Sequence, residues 1–198
     1  MRIIAGLAKG IRLSAPEGRG VRPTEDRVKE SIFSTLGDLQ GTTVLDLFSG
    51  SGALGLEALS RGAARVIFIE QNRRHLFFIH QNHAAVAKSI GETAGECEFI
   101  CADARRASQL LGHLRGTIGI VLADPPYETP PHGYGSQQLL DDRELAALLA
   151  PGCLLALEHS ASTHLAWHPL NPWELIKEKT YGIRAVSFAR IASETQQE

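Results

Sequence analysis

One stretch of the chain leaves it few folds to choose from. Val44-Leu45-Asp46-Leu47-Phe48 is an apolar, strand-forming run that passes through Ser49-Gly50-Ser51-Gly52 into the helix-like Ala53-Leu54-Gly55. Gly50, Gly52 and Gly55 satisfy G-x-G-x-x-G, a pattern that carries meaning only where a strand precedes it and a helix follows, as here. Glycines at such a turn let the chain reverse tightly and let a ligand lie against bare backbone at the start of a helix. The alternation continues downstream. Apolar runs at 66–69, 98–101, 118–123 and 154–157 alternate with helix-like stretches near 53–61, 72–89, 104–114 and 137–149. Such a pattern implies right-handed βαβ crossovers and a mostly parallel sheet covered on both faces. Runs 174–180 and 184–191 are separated only by Tyr181-Gly182-Ile183, too few residues for a crossover helix, so the last two strands should pair antiparallel. The expected fold class is α/β: a seven-stranded, mostly parallel sheet ending in an antiparallel hairpin.

Ahead of this core, residues 2–5 and 11–14 are short apolar-basic runs joined by Leu7-Ala8-Lys9-Gly10, which predicts a short N-terminal β-ribbon arm. A Gly/Pro-rich connector, Pro16 to Pro23, follows it. Thr24 is then placed to cap a helix whose first turn holds Glu25 and Asp26, whose face carries Val28, Ile32, Phe33 and Leu36, and which Gly37 ends. The expected domains are the basic arm, 1–23, and the α/β domain, 24–198. Charge separates them as well. Residues 1–29 carry seven basic side chains (Arg2, Lys9, Arg12, Arg19, Arg22, Arg27, Lys29) against three acidic ones, a net +4, so the total of -2 leaves -6 on the remainder. A basic arm on an acidic body suits approach to a polyanion, and equally describes a solvated surface hairpin.

At 198 residues and 43% apolar, the chain can bury a self-sufficient core without disulfide or metal staples. Cys97, Cys101 and Cys153 lie in apolar stretches and read as reduced, buried thiols. His80 and His83, and His159, His164 and His168, lack matching carboxylates at metal-ligand spacing, so no metal site is expected. No apolar run approaches the length of a membrane span and the first residues lack the long apolar region of a signal peptide, so a cytoplasmic protein without a membrane partner is expected.

Ligand chemistry follows from carboxylates near the glycine turn. Glu70 ends the second apolar run, where it could accept both hydrogen bonds of a ribose diol. Asp46 precedes the first glycine by four residues and Asp124 ends the fourth run, both expected at one crevice along the carboxyl edge of the sheet. Negative charge there repels a pyrophosphate and favours a cationic ligand, S-adenosylmethionine, whose sulfonium and ammonium outnumber its one carboxylate. Asp103 stands where it could accept from an adenine amino group, with the Ala104 amide nearby, or could simply cap a helix. Asp124-Pro125-Pro126-Tyr127 then supplies a rigid turn: two prolines remove two donors and fix two φ angles, leaving carbonyls free to accept. Hydrogen bonds from an exocyclic amine to the Asp124 carboxylate and the Pro125 carbonyl would favour a pyramidal nitrogen with its lone pair aimed for attack, and Tyr127 offers a ring for a base to stack on. The loop 128–136 beside this turn is either a lid or a plain surface loop. An NAD-dependent oxidoreductase, drawn from the glycine motif and Glu70, is the rival from another chemistry, and a non-catalytic RNA-binding assembly factor the rival without one.

Taken together, Asp46 to Gly55, Glu70, Asp103 and Asp124 to Tyr127 resemble the Rossmann-like class I methyltransferases that act on exocyclic amines of nucleic-acid bases. Arg2-Ile3-Ile4-Ala5-Gly6 with Lys9-Gly10, Arg22-Pro23-Thr24 with Asp26-Arg27-Val28, and Leu56-Glu57-Ala58-Leu59-Ser60-Arg61-Gly62-Ala63 narrow the likeness to the bacterial RsmD family. That resemblance implies N2-methylation of a guanine in 16S ribosomal RNA. Because a body this small with one short arm reads little sequence by itself, the expected substrate is an assembled small subunit, and the expected state a monomer. The resemblance also implies S-adenosylmethionine bound at Asp46, Phe48, Gly50, Gly52, Gly55, Glu70, Asp103, Ala104 and Asp124. Catalysis would then fall to Asp124, Pro125, Pro126 and Tyr127, RNA contact to Arg2, Lys9, Arg12, Arg19 and Arg22, and pocket closure to Arg22-Pro23-Thr24. Transfer to adenine N6 or cytosine N4 remains open, because the tetrapeptide recognises an amine rather than a base.

Overall fold

The computed structural model of the chain describes residues 1–15, 26–127, 133–168 and 171–192. The chain falls into two compact units, Met1–Ala104 and Arg105–Glu198.

In the first unit, β1 (Thr43–Leu47), β2 (Arg65–Ile69) and β3 (Glu96–Ile100) pair in parallel in the order β3-β2-β1. Helix α1 (Asp26–Leu36) buries the face the sequence marks, Val28, Ile32, Phe33 and Leu36, and Gly37 ends it with a left-handed φ of 79°. Helix α2 (Ala53–Ser60) is buried on every side, which fits its sequence ALGLEALS and makes its single charge, Glu57, a group that must find partners. It finds several. Glu57 accepts from the Ile4 and Ala5 amides at 2.8 and 3.0 Å, pairs with Arg61 at 2.9 Å, and lies 3.7 Å from Lys29, with Glu57 and Lys29 both fully buried. Helix α3 (Arg73–Ile90) opens on Asn72, whose side chain accepts from the Arg74 amide at 2.9 Å, and closes at Gly91.

The first fifteen residues belong to this unit. Ile3 and Leu13 donate to Ile11 and Met1 carbonyls, but only Arg2 and Arg12 form a ladder bridge, so the expected ribbon is a hairpin with a single bridge. Ile3, Ala8 and Leu13 are buried. Ser60 fastens the hairpin's turn: its hydroxyl donates to the Ala5 carbonyl at 2.7 Å and accepts from the Ala8 amide at 2.9 Å.

In the second unit, β4 (Ile118–Ala123) runs parallel to β5 (Leu149–Ser160), and β5 pairs antiparallel with β7 (Arg184–Ile191), which pairs antiparallel with β6 (Trp173–Tyr181). The order is β4-β5-β7-β6. Gly182, at φ 62°, turns the closing hairpin. Two helices expected as continuous are broken. Residues 104–114 form a 3₁₀ turn, the short α4 (Ala107–Leu110) and a second 3₁₀ turn. Residues 136–146 form α5 (Ser136–Asp141) and α6 (Arg143–Ala146), because Asp142 leaves the helix to accept from the Leu145 amide at 2.8 Å. The described residues thus give seven strands, mostly parallel with an antiparallel end, as the sequence predicts.

The cysteines differ from expectation. Cys153 is buried and Cys97 half-buried, and burial pushes both thiols up to about 12, but Cys101 sits past the end of β3 and is exposed. Among the described residues no helix is long and apolar enough to cross a membrane, and no group of three or more His, Cys, Asp or Glu is placed for a metal ion. His80 and His83 pack on the Phe99 ring instead, at 4.3 and 5.1 Å between centroids.

Candidate active site

The glycine turn is built by hydrogen bonds that close it from both sides. After β1 the chain enters a left-handed conformation at Phe48, φ 59°, which a bulky side chain rarely adopts, and then at Gly50, φ 56°, and Gly52, φ 78°. The Ser49 hydroxyl donates to the Asp46 carbonyl at 2.6 Å, and the Gly52 amide donates to the Ser49 carbonyl at 2.7 Å. Helix α2 starts with no side chain at its own N-cap, Gly52. The cap comes from the preceding strand: Asp46 Oδ2 accepts from the Gly55 amide at 2.9 Å. Only glycine fits at 55, because a Cβ there would lie 2.3 Å from the Phe68 ring and 2.8 Å from Asp46 Oδ2. At Gly50 a Cβ would meet nothing closer than 3.9 Å, so the backbone is bare at that position.

This geometry changes the meaning of Asp46. The sequence argument treats it as a fixed negative charge, but the carboxyl is 2% exposed and burial raises its pKa to about 7, against the lowering effect of the Gly55 amide and with Glu70 adding to the rise. At neutral pH it is therefore only partly ionised, and its constant contribution is to hold α2 against β1. Glu70 is the second carboxylate of the turn. It follows β2, is 7% exposed, and accepts from the Gly50 amide at 2.8 Å and the Asn72 amide at 2.8 Å. A carboxylate has about four acceptor sites, so these two bonds fix its orientation and leave capacity for a diol.

Asp103 and Ala104 lie where β3 ends and a 3₁₀ turn begins, Asp103 half-buried and Ala104 buried. The first unit brings Asp46, Phe48, Gly50, Gly52, Gly55 and Glu70 into one hydrogen-bonded turn. Two residues that touch Ser51 of that turn escaped the sequence reading. Asn82 on α3, buried, donates to the Ser14 and Ser51 carbonyls at 2.8 and 2.9 Å and accepts from the Ser14 amide at 2.8 Å. It ties the N-terminal hairpin to the glycine loop. Met1 reaches the same place, its sulfur 3.8 Å from the Ser51 hydroxyl.

In the second unit Asp124-Pro125-Pro126-Tyr127 follows β4 directly, with Asp124 half-buried, Pro125 buried, and Pro126 and Tyr127 exposed. The Tyr127 hydroxyl donates to Glu158 Oε1 at 3.0 Å, and Arg184 donates to that same oxygen at 3.1 Å. Burial, then the Glu158 carboxylate, push the Tyr127 hydroxyl well above the ordinary tyrosine range, so it stays a donor at any working pH. Glu158 and Arg184 were also missed. Their only trace in the sequence is a charge set against an apolar run, Glu158 after Leu154-Leu155-Ala156-Leu157 and Arg184 before Ala185-Val186.

Of the basic residues expected to touch RNA, Arg2, Lys9 and Arg12 are exposed on the hairpin, with Arg2 paired to Asp26 at 2.8 Å. Arg19, Arg22, Pro23 and Thr24 lie outside the described residues, as does 128–132 of the loop 128–136.

Comparison with known proteins extends over nearly the whole chain. Residues 1–190 match the family model described as Conserved hypothetical protein 95. Ribosomal RNA small subunit methyltransferase D of Escherichia coli K12 is 35% identical over 185 residues, covering 92% of this chain and 85% of that protein. The Haemophilus influenzae protein of the same name is 35% identical over 184 residues, covering 92% and 90%. A solved structure, that of the provisionally named methyltransferase yhhF of Escherichia coli, superposes with a TM-score of 0.78 at 32% identity, covering 98% of this chain and 99% of that one.

Proposed function

Since the chain belongs to the RsmD family of ribosomal RNA methyltransferases, we propose that it transfers a methyl group from S-adenosylmethionine to the exocyclic N2 of a guanine in 16S ribosomal RNA. The observation that carries this reading is the Asp124-Pro125-Pro126-Tyr127 turn, which offers a carboxylate, a rigid carbonyl and a fixed ring in four consecutive residues. A guanine N2 is a poor nucleophile while its lone pair is delocalised into the ring. Accepting its two hydrogens at the Asp124 carboxylate and the Pro125 carbonyl favours the pyramidal nitrogen and stabilises the positive charge that grows on it. Pro126 holds the turn in shape, and Tyr127 stacks the base, which must be unpaired or extruded because N2 is engaged in a normal pair. Asp124 or water takes the proton released afterwards.

The residues of the first unit fit the methyl donor. Bare backbone at Gly50 and the cap-fixed start of α2 leave room for a ligand against the turn of Asp46, Phe48, Gly52 and Gly55. Glu70 is oriented to accept from a ribose, and Asp103 with the Ala104 amide to read an adenine. The donor supplies an electrophilic methyl on a sulfonium, so the protein's work is placement. Arg2, Lys9 and Arg12, with Arg19 and Arg22, contact phosphates, and the arm of residues 1–23 serves to hold RNA for a 24–198 catalytic domain. The chain acts as a cytoplasmic monomer on a small-subunit particle, since one short basic segment reads little sequence by itself.

The test is nucleoside mass spectrometry. Purified protein, S-adenosylmethionine and small ribosomal subunits from a strain deleted for this chain should yield N2-methylguanosine. N6-methyladenosine or N4-methylcytidine in its place would overturn the base assignment, and calorimetric uptake of NAD without S-adenosylmethionine would overturn the cofactor.

A further inference from the structure

The reading above gives Tyr127 a task but does not say what aims its ring. An exposed tyrosine at the end of a turn samples several rotamers, and a platform that wanders loses part of each stacking contact to the entropy of fixing it. Tyr127 is 38% exposed, yet its far end is anchored. The hydroxyl donates to Glu158 Oε1 at 3.0 Å, and Glu158 is 2% exposed. A carboxylate buried that deeply persists only with a partner, and Arg184, 8% exposed, supplies one at 3.1 Å on the same oxygen. Both groups stand on rigid strands of one antiparallel pair. Glu158 on β5 lies opposite Val186 of β7, and Arg184 opens β7 opposite Ser160.

We propose that Glu158, held by Arg184, is a positioning residue for the methyl transfer: it fixes the Tyr127 ring by its hydroxyl so that the target base meets a preset stacking plane. The ring is then held at both ends, through its Cα by the Pro125-Pro126 turn and through its oxygen by β5. This explains why the platform is a tyrosine, since phenylalanine would stack as well but could not be tied down.

This inference rests on Tyr127 being the base platform, and a double-mutant cycle separates the two claims. The probe is small ribosomal subunits from the deletion strain, with initial methyl-transfer rates giving kcat and KM. Tyr127→Ala tests the platform: full activity would overturn that reading and this inference with it. Tyr127→Phe and Glu158→Ala should each lower kcat/KM for the particles by about three- to ten-fold, the scale of one hydrogen bond. S-adenosylmethionine affinity should stay unchanged. In the Tyr127→Phe background, Glu158→Ala should cost nothing further. An equal loss in both backgrounds, or no loss in either, would overturn the positioning role while leaving the platform intact. Glu158→Ala strands a buried guanidinium and could unfold the chain, so Glu158→Met combined with Arg184→Met removes both charges together. That pair should show the same loss and the same disappearance with Tyr127→Phe. Glu158→Gln keeps an acceptor for the hydroxyl and should restore most of the rate.

Discussion

Asp46 shows how far one residue's surroundings can depart from what its place in a motif suggests. It stands four residues before the first glycine and looks like a charge set out for a ligand, yet its carboxyl caps α2 through the Gly55 amide and titrates near neutrality. Its pKa rises on folding from 3.8 to about 7, so between those values the folded chain holds a proton that the unfolded chain has released. Stability therefore falls as pH rises through that window, with a slope of about 1.4 kcal/mol per pH unit at its steepest. Asp46→Asn keeps an acceptor for Gly55 and removes the titration. Urea midpoints from pH 4 to 8 should decline for the natural chain and lie flatter for the variant, which should be the more stable of the two at pH 8. Parallel curves would show that Asp46 is ionised throughout. The motif revealed the residue but not its burial, because burial comes from Phe68 and Gly55 closing over it, and neither is its neighbour in sequence.

Among the elements, strands were easier to read than helices. The fourth and seventh strands begin and end where their apolar runs do, 118–123 and 184–191, since an unbroken buried run leaves no choice of face. The fifth strand is longer than its run. Pro151-Gly152 looks like a turn but is absorbed as an irregularity in the pairing with β4, where Gly152 takes φ 77°. Helical stretches broke where a side chain competed for the backbone, as at Asp142, or where the helix was too short to outlast a glycine, as at Gly112. The longest-range information was carried by residues with no local signature. Glu57 joins α2, α1 and the N-terminal hairpin across sequence separations of 52 and 53 residues to the amides it accepts from. Glu57→Ala should cost about 3–5 kcal/mol, because it takes the carboxylate from a buried pair and leaves Lys29 only the Arg2 carbonyl to donate to. Hydrogen exchange at the Ile4 and Ala5 amides should accelerate well before global unfolding, whereas Glu57→Gln, which still accepts, should protect them. Unchanged exchange in Glu57→Ala would mean that the Ser60 and Asn82 bonds hold the hairpin without Glu57.

For the molecule as a whole, charge is the property the sequence displayed most openly. A net of -2 would repel RNA if spread evenly, but the +4 of residues 1–29 concentrates attraction on one segment. Replacing Arg2, Lys9 and Arg12 together by Gln should weaken binding to small-subunit particles. It should also flatten the dependence of log affinity on log salt by roughly 2 to 3, if each cation neutralises one phosphate. Donor affinity measured calorimetrically should not move, and an unchanged salt slope would assign RNA contact elsewhere. The seven strands, their antiparallel end and the glycine turn were legible because backbone geometry demands particular residues there. The supports beneath them, Asn82, Glu57, Glu158 and Arg184, were not, since a buried polar side chain is explained only by the partner the fold brings to it. One such support bears on handling the protein. Met1 lies against Ser51 in the glycine loop, 3.8 Å from sulfur to hydroxyl. A bulky group fused at Met1 would start beside that loop, so a purification tag placed at the other end leaves the proposed donor-binding turn less disturbed.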